Sequence, residues 1–323
     1  MAILCVLTGH FLGTDFIKED RLGVDIFFVL SGMLMAQLLF EKRINLKTFY
    51  LRRFSRIYPT LFVFVACMFL GASIVGWEFS GFEVLTNLTF LRTYIPTNPH
   101  IWEGFVPVKN LWSLNVEEHA YVIMSLMTLF LVALRGIRLA LLSIGVLSVL
   151  ISIYYNATQD YQQTYFLLRT ESAIAFVALS ASYRLIQHEK NLRVNPWIPL
   201  ITLAAATLCY LEQIPFWISF VFPPFLLAFT VNHLQDLPPV FKRLLSLKIL
   251  RLFGLWSYSI YLWQQPIFEY KWTIPGPDFA IPLFLAIATG VLSFTFFESP
   301  SRIAINDWWA RRVQRKTAAA GML

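Results

Sequence analysis

A handful of residues in this sequence combine types and spacings suited to chemistry with surroundings that are otherwise apolar. His10 is the first. It lies nine residues after Met1 in an apolar run, about 14 Å along a helix rising 1.5 Å per residue, a depth well inside a hydrocarbon core. An imidazole can take a proton from a hydroxyl near neutral pH, the work of a general base. The plainer use is a buried ring bonded to neighbouring backbone. His10 and Asp15 also form a His-x4-Asp spacing, which two residues often reach by chance. In Leu22-Gly23-Val24-Asp25-Ile26-Phe27-Phe28-Val29-Leu30-Ser31-Gly32, Asp25 is placed to pair with His10 across two neighbouring helices, with Ser31 deeper. Alternatively Asp25 is an acid favoured at a helix N-terminus.

Arg52-Arg53-Phe54-Ser55-Arg56-Ile57-Tyr58-Pro59 sets Arg53 and Arg56 three apart, on one helix face. Guanidinium forks bind phosphate oxygens in pairs, so the two can hold a phosphate-bearing donor, or simply anchor a basic loop. In Asn110-Leu111-Trp112-Ser113-Leu114-Asn115-Val116-Glu117-Glu118-His119-Ala120-Tyr121, two acids and a histidine enter an apolar run. No further His or Cys at ligand spacing accompanies them, so no metal site is expected. Ser257, Tyr261 and Gln264 fall on one helical stripe, either lining a polar path or hydrogen-bonding between helices. Ser31, Trp112 and Ser113 would complete such a path.

The elements that must position these residues follow from composition. The chain has 323 residues, 57% hydrophobic and 14% charged, with mean hydropathy +0.61. Soluble domains run at about 45–50% apolar and about 25% charged. A soluble domain, a disordered chain and a disulfide-stapled scaffold are thereby excluded. Cys5, Cys67 and Cys209 lie in apolar runs without a CxxC pair and are read as buried small hydrophobes. Continuous apolar runs occur at 1–14, 22–40, 58–77, 120–134, 139–155, 171–187, 196–212, 215–234, 249–268 and 279–297, patterned for helices rather than alternating strands.

If these runs are ten spans with both termini cytoplasmic, 20 of the 26 Lys and Arg residues fall on the cytoplasmic side and six on the other. That asymmetry is what positive-inside orientation produces. The net charge of +7 therefore reads as topology and not as nucleic-acid binding. The longest outer stretch, 78–115, reads as a re-entrant or interfacial cap. An ionisable side chain inside a span costs about 2.5–3.5 kcal/mol, so the few that remain are candidates for function.

The segments Val6 to His10, Gly23 to Gly32, Phe49 to Pro59, Trp112 to Tyr121 and Gly254 to Pro266, with Glu298 and Pro300, resemble the membrane-bound acyltransferase 3 family. That family includes bacterial enzymes that O-acetylate lipopolysaccharide, exopolysaccharide and related surface sugars. The resemblance implies an all-α, polytopic integral membrane protein of the cell (inner) membrane. It implies a single acyltransferase domain over 1–300 and a basic, frayed cytoplasmic tail over 301–323. It implies acetyl-CoA or another acyl-CoA as donor, docked near Arg53 and Arg56, and a carbohydrate acceptor. His10 matches the family's essential histidine and would be the base, oriented by Asp25 or Glu117. Glu117, in Trp112-Ser113-Leu114-Asn115-Val116-Glu117, matches a functional acid. Two features depart from the pattern: the family's basic residue eleven positions before the histidine would precede Met1, and Gln264 stands where a histidine is common. Two other readings are a transporter or flippase using the same polar path, and an acyltransferase for a small metabolite or antibiotic.

Overall fold

The computed structural model describes residues 1–323 except 14–15, 98–99, 132, 159–165, 167, 275–278 and 321–323. Asp15 lies outside the described residues. In chain order the helices are α1 (Ala2–Leu7), α2 (Glu19–Ala36), α3 (Leu46–Val75), α4 (Gly81–Leu88), α5 (Leu111–Phe130), α6 (Leu134–Thr158), α7 (Thr170–Lys190), α8 (Ile198–Leu208), α9 (Phe216–Val221), α10 (Pro223–Asn232), α11 (Pro239–Leu245), α12 (Lys248–Glu269), α13 (Ala280–Ser293) and α14 (Ser299–Ala320). Each apolar run lies on one or two of them. π-helical turns extend α1 (Thr8–Leu12) and α2 (Gln37–Glu41) and join α13 to α14 (Phe294–Glu298). Such turns recur at functional sites, and His10 sits on the first.

Four helical stretches are long and apolar enough to cross a membrane: Glu19–Glu41, Leu46–Val75, Leu134–Thr158 and Ala280–Gln314. The expected ten reduce to these, by length and composition, for a visible reason. Ala2–Leu12, Ile198–Leu208 and Trp217–Asn232 are short, while α5, α7 and α12 dilute their apolar runs with Glu117, Glu118, Glu171 and a polar stripe.

Several boundaries also differ. α3 begins twelve residues before the apolar run, because Asn45 caps it by accepting from the Lys47 N–H. Arg53 and Arg56 therefore lie on a spanning helix rather than ahead of one. The segment from Ser301, expected to be frayed, is the helix α14. It packs against α3, where Ser55 donates to Asn306. Cys67 is exposed rather than buried.

The stretch after α3 folds back as a cap. Ser80 and Glu83 form a capping box on α4, and Glu83 pairs with the buried Arg92 at 3.2 Å. Phe90 meets Tyr58, near the middle of α3, with ring centroids 5.6 Å apart. Irregular backbone is tolerated at such depth only inside protein, and Ile101, Val106 and Val108 are accordingly buried.

Helix approach depends on small residues. α2 packs on α7 so closely that a Cβ on Gly32 would lie 2.1 Å from the Val177 carbonyl oxygen. Gly32→Ala is expected to destabilise the protein by about 1–3 kcal/mol, read as a lower unfolding midpoint in detergent. An unchanged midpoint would contradict that packing.

Candidate active site

α1, α2, α3, α5 and α12 surround a cavity of about 310 Å³. Its apolar wall includes Val24, Phe27, Leu30, Leu34 and Met35 of α2, an arrangement produced by the uninterrupted apolar residues around Asp25 and Ser31. Its polar end is formed by Ser31, Arg53, Arg56, Glu117 and Tyr121.

These polar side chains form one cluster. Arg53 pairs with Glu117 at 2.9 Å and with Glu118 at 2.9 Å, and its guanidinium lies over the Tyr121 ring at 3.8 Å. Ser31 and Tyr121 both donate to Glu117. The adjacency of Glu117 and Glu118 is thus used to grip one arginine from two sides. A second cavity, lined by Tyr50, Tyr58, Phe90, Glu118 and His119 among others, lies on the Glu118 side of Arg53.

The two arginines differ. The Arg53 side chain is only 12% exposed and fully engaged by protein groups, whereas Arg56 is exposed and lines the same cavity. Arg56 is the one free to meet an anion from outside. Glu298, buried on its π-helical turn, accepts from Ser259 at 2.7 Å within the electrostatic reach of Arg56 and Arg302.

From the cavity a polar path runs along α12. Ser257 and Tyr261 line the cavity, as does Ser113. Ser113 and Tyr261 share a 2.7 Å hydrogen bond, and Asn110 donates to the Tyr261 carbonyl at 2.7 Å. One turn beyond Tyr261, Gln264 meets His10: its Oε1 lies 2.6 Å from His10 Nδ1. Phe268 stacks on the imidazole at 4.1 Å and 13°, and Lys271 donates to the His10 carbonyl at 2.5 Å. Burial lowers the Lys271 ammonium pKa below its ordinary value. The other ring nitrogen, Nε2, is 3.9 Å from Asp20 Oδ2.

Not every expected neighbour is brought together. His10 does not meet Asp25 or Glu117. Asp25 is buried and bonds Arg21 at 3.0 Å and Tyr210 at 2.7 Å. Glu117 belongs to the Arg53 cluster. Met1, Ala2 and Ile3 line the cavity beside Arg53, so α1 starts at that level and carries His10 toward the start of α2 and the end of α12. Trp112 faces away from the cavity, packing on Phe28 at 5.7 Å under the Arg21 guanidinium.

Phe268, Lys271 and Asp20 were not singled out from the sequence. The available signal was the i, i+4, i+7 spacing of Gln264, Phe268 and Lys271. His233 was also passed over. It is fully buried, bonding Tyr183 at 2.8 Å and Asp236 at 2.7 Å. Among the described residues, no three His, Cys, Asp or Glu side chains stand close enough to hold a metal.

A family model described as an acyltransferase domain matches residues 1–298. The chain is 29% identical to the peptidoglycan O-acetyltransferase OatA of Listeria monocytogenes, over 94% of this chain and 54% of that protein. It is 25% identical to the O-acetyltransferase OatA of Staphylococcus aureus, over 93% and 55% respectively. It is 24% identical to a putative O-acetyltransferase, SACOL0978, of the same species, over 94% and 56%. The chain thus spans a little over half the length of these relatives. No solved structure matches it. The family model covers residues 1–298 of the 323, and the chain belongs to that family of integral membrane acyltransferases.

Proposed function

We propose that this chain is a membrane O-acetyltransferase that moves an acetyl group from acyl-CoA to a sugar hydroxyl of a cell-wall or surface polysaccharide. The observation that carries the reading is one cavity lined by Arg56, an apolar face of α2, Ser113 and Tyr261, with Gln264, which holds His10, one turn beyond Tyr261. The apolar wall suits the acyl and pantetheine arm, and Arg56 suits the donor's phosphates. The acceptor hydroxyl approaches His10 from the side of Asp20, whose side chain is 49% exposed.

His10 takes the hydroxyl proton as the oxygen attacks the thioester carbonyl. The new C–O bond forms, the C–S bond breaks, and the imidazolium returns its proton to the departing thiolate. In the membrane we read all ten apolar runs as spans or part-spans. Both termini and Arg56 then face the cytoplasm, where acyl-CoA resides, and His10 faces the opposite side. The basic asymmetry of the loops supports this orientation.

The donor assignment has its own test. Arg56→Ala is expected to raise KM for acetyl-CoA about tenfold, with kcat within about twofold, because one charge-assisted contact worth about 1.5–3 kcal/mol is lost from binding. The assay is CoA thiol release by the full chain in proteoliposomes. An unchanged KM would remove Arg56 from the donor site.

A further inference from the structure

We propose that the outer end of α12 and the turn after it form a three-point clamp, Gln264, Phe268 and Lys271, that fixes His10 as the Nδ1-protonated tautomer with Nε2 free as the base. The inference deepens the reading of His10 as general base and rests on it. Gln264 and Phe268 stand one turn apart on α12, Lys271 follows the helix end at Glu269, and each holds a different part of His10. Gln264 takes Nδ1 at 2.6 Å, Phe268 covers the ring face at 4.1 Å, and Lys271 holds the carbonyl at 2.5 Å. Gln264 and Phe268 hold the ring itself, and Lys271 holds the backbone that carries it.

The tautomer follows from hydrogen-bond capacity. Gln264 is fully buried, and its Nε2 donates to the Tyr261 carbonyl at 3.4 Å. Its Oε1 is therefore the atom turned to His10, and an amide oxygen only accepts. A proton must stand on Nδ1, which leaves the lone pair of a neutral imidazole on Nε2. Nε2 faces the half-exposed side, toward Asp20 at 3.9 Å, too far for a direct hydrogen bond. The lone pair is thus left for an incoming hydroxyl. Gln264, Phe268 and Lys271 are positioning residues here, acting on substrate only through His10. An amide in the place where an acid orients the base in other hydrolases and transferases fixes the tautomer without adding a charge.

The charged groups facing the ring are Asp20, from the first turn of α2, and Lys271, beyond α12. Neither is altered by a change at position 264, so substitutions there isolate the clamp. The test uses the full chain in proteoliposomes, acetyl-CoA as donor and soluble N-acetylhexosamine glycan strands as acceptor. Gln264→Leu removes the acceptor and should lower kcat about 10–100-fold, with KM for acetyl-CoA within about twofold because Gln264 does not line the donor cavity. Gln264→Glu keeps an acceptor but adds a negative charge. It should retain turnover on the alkaline side and move the acid limb of the rate profile up by about one pH unit.

A second readout is independent of turnover. The pH midpoint for modification of His10 by diethyl pyrocarbonate, followed by mass spectrometry of its peptide, should rise by the same amount in Gln264→Glu. A Gln264→Leu variant within twofold of wild type would overturn the clamp. So would a Gln264→Glu variant in which neither the acid limb nor the modification midpoint moves. Should His10→Ala prove fully active, the reading of His10 as base falls. The modification midpoint then still decides whether Gln264 holds the ring.

Discussion

His10→Ala should lower kcat for acetyl transfer by about 100- to 10,000-fold, the range a positioned general base contributes. KM for acetyl-CoA should stay within about twofold, because the donor cavity is lined by Arg56, Ser257 and the apolar face of α2 and not by His10. The fold should survive. His10 lies at the end of the short first helix and its π-helical turn, so its loss removes the hydrogen bond to Gln264 and the stack on Phe268 but no helix–helix packing of the bundle core. The measurement is steady-state CoA release alongside a thermal unfolding scan of the same preparation. A loss of kcat with an unchanged unfolding midpoint separates chemistry from folding. A parallel fall in both would make His10 a structural histidine, the plainer alternative open from the outset.

The second large effect concerns Arg53, and it is an effect on stability. Arg53 is paired to two carboxylates while its side chain is 12% exposed. Arg53→Leu strands Glu117 and Glu118 side by side without a counter-charge. Breaking a buried pair from one side costs about 3–5 kcal/mol, and here two acids are left instead of one. Glu117→Gln is milder: Arg53 keeps Glu118, and the amide can still accept from Ser31 and Tyr121. The expected order of unfolding midpoints in detergent is wild type, then Glu117→Gln, then Arg53→Leu, with the last failing to accumulate in the membrane if its loss reaches the upper end. If Arg53 instead served chiefly to hold donor phosphate, Arg53→Leu would fold normally and show only a raised KM. That outcome would place Arg53 beside Arg56 in function and contradict the cluster as drawn.

Much of this site was legible in the sequence, and the exceptions have physical causes. An ionisable residue in an apolar run is expensive, so His10 and Glu117 stood out by cost, while Arg53 and Tyr261 stood out by helical spacing. Their partners did not, because partner choice depends on helix packing. Asp25 was expected beside His10 from its level on α2, yet it bonds Tyr210, in the turn after α8 and 185 residues away. Phe268 and Lys271 were inconspicuous because an aromatic residue and a lysine at a helix end are what a membrane interface ordinarily carries. That the first helix starts beside the cavity is a fact of tertiary placement that residue counting does not reveal. The helical tail escaped notice because basic composition says nothing about the α3 surface against which α14 lies.

The ten apolar runs illustrate the same division. Hydropathy located the helices, but length and composition qualify four stretches to cross a membrane. The site draws on both kinds of helix: Ser31, Arg53 and Arg56 lie on two of those four stretches, and His10, Glu117, Tyr261 and Gln264 lie on helices outside them. The cost of such residues in lipid is offset by pairing inside the bundle, as Arg53 with Glu117 and Glu118 shows.

The most direct test of the central claim follows the acetyl group itself. Wild-type and His10→Ala chains are reconstituted in proteoliposomes with acetyl-CoA labelled in its acetyl group and soluble N-acetylhexosamine glycan strands. Label on the glycan and free CoA thiol are then counted together. The account predicts one CoA released per acetyl transferred by wild type, and background levels of both in His10→Ala. Equal transfer by the two proteins, or passage of glycan across the vesicle without CoA release, would contradict it.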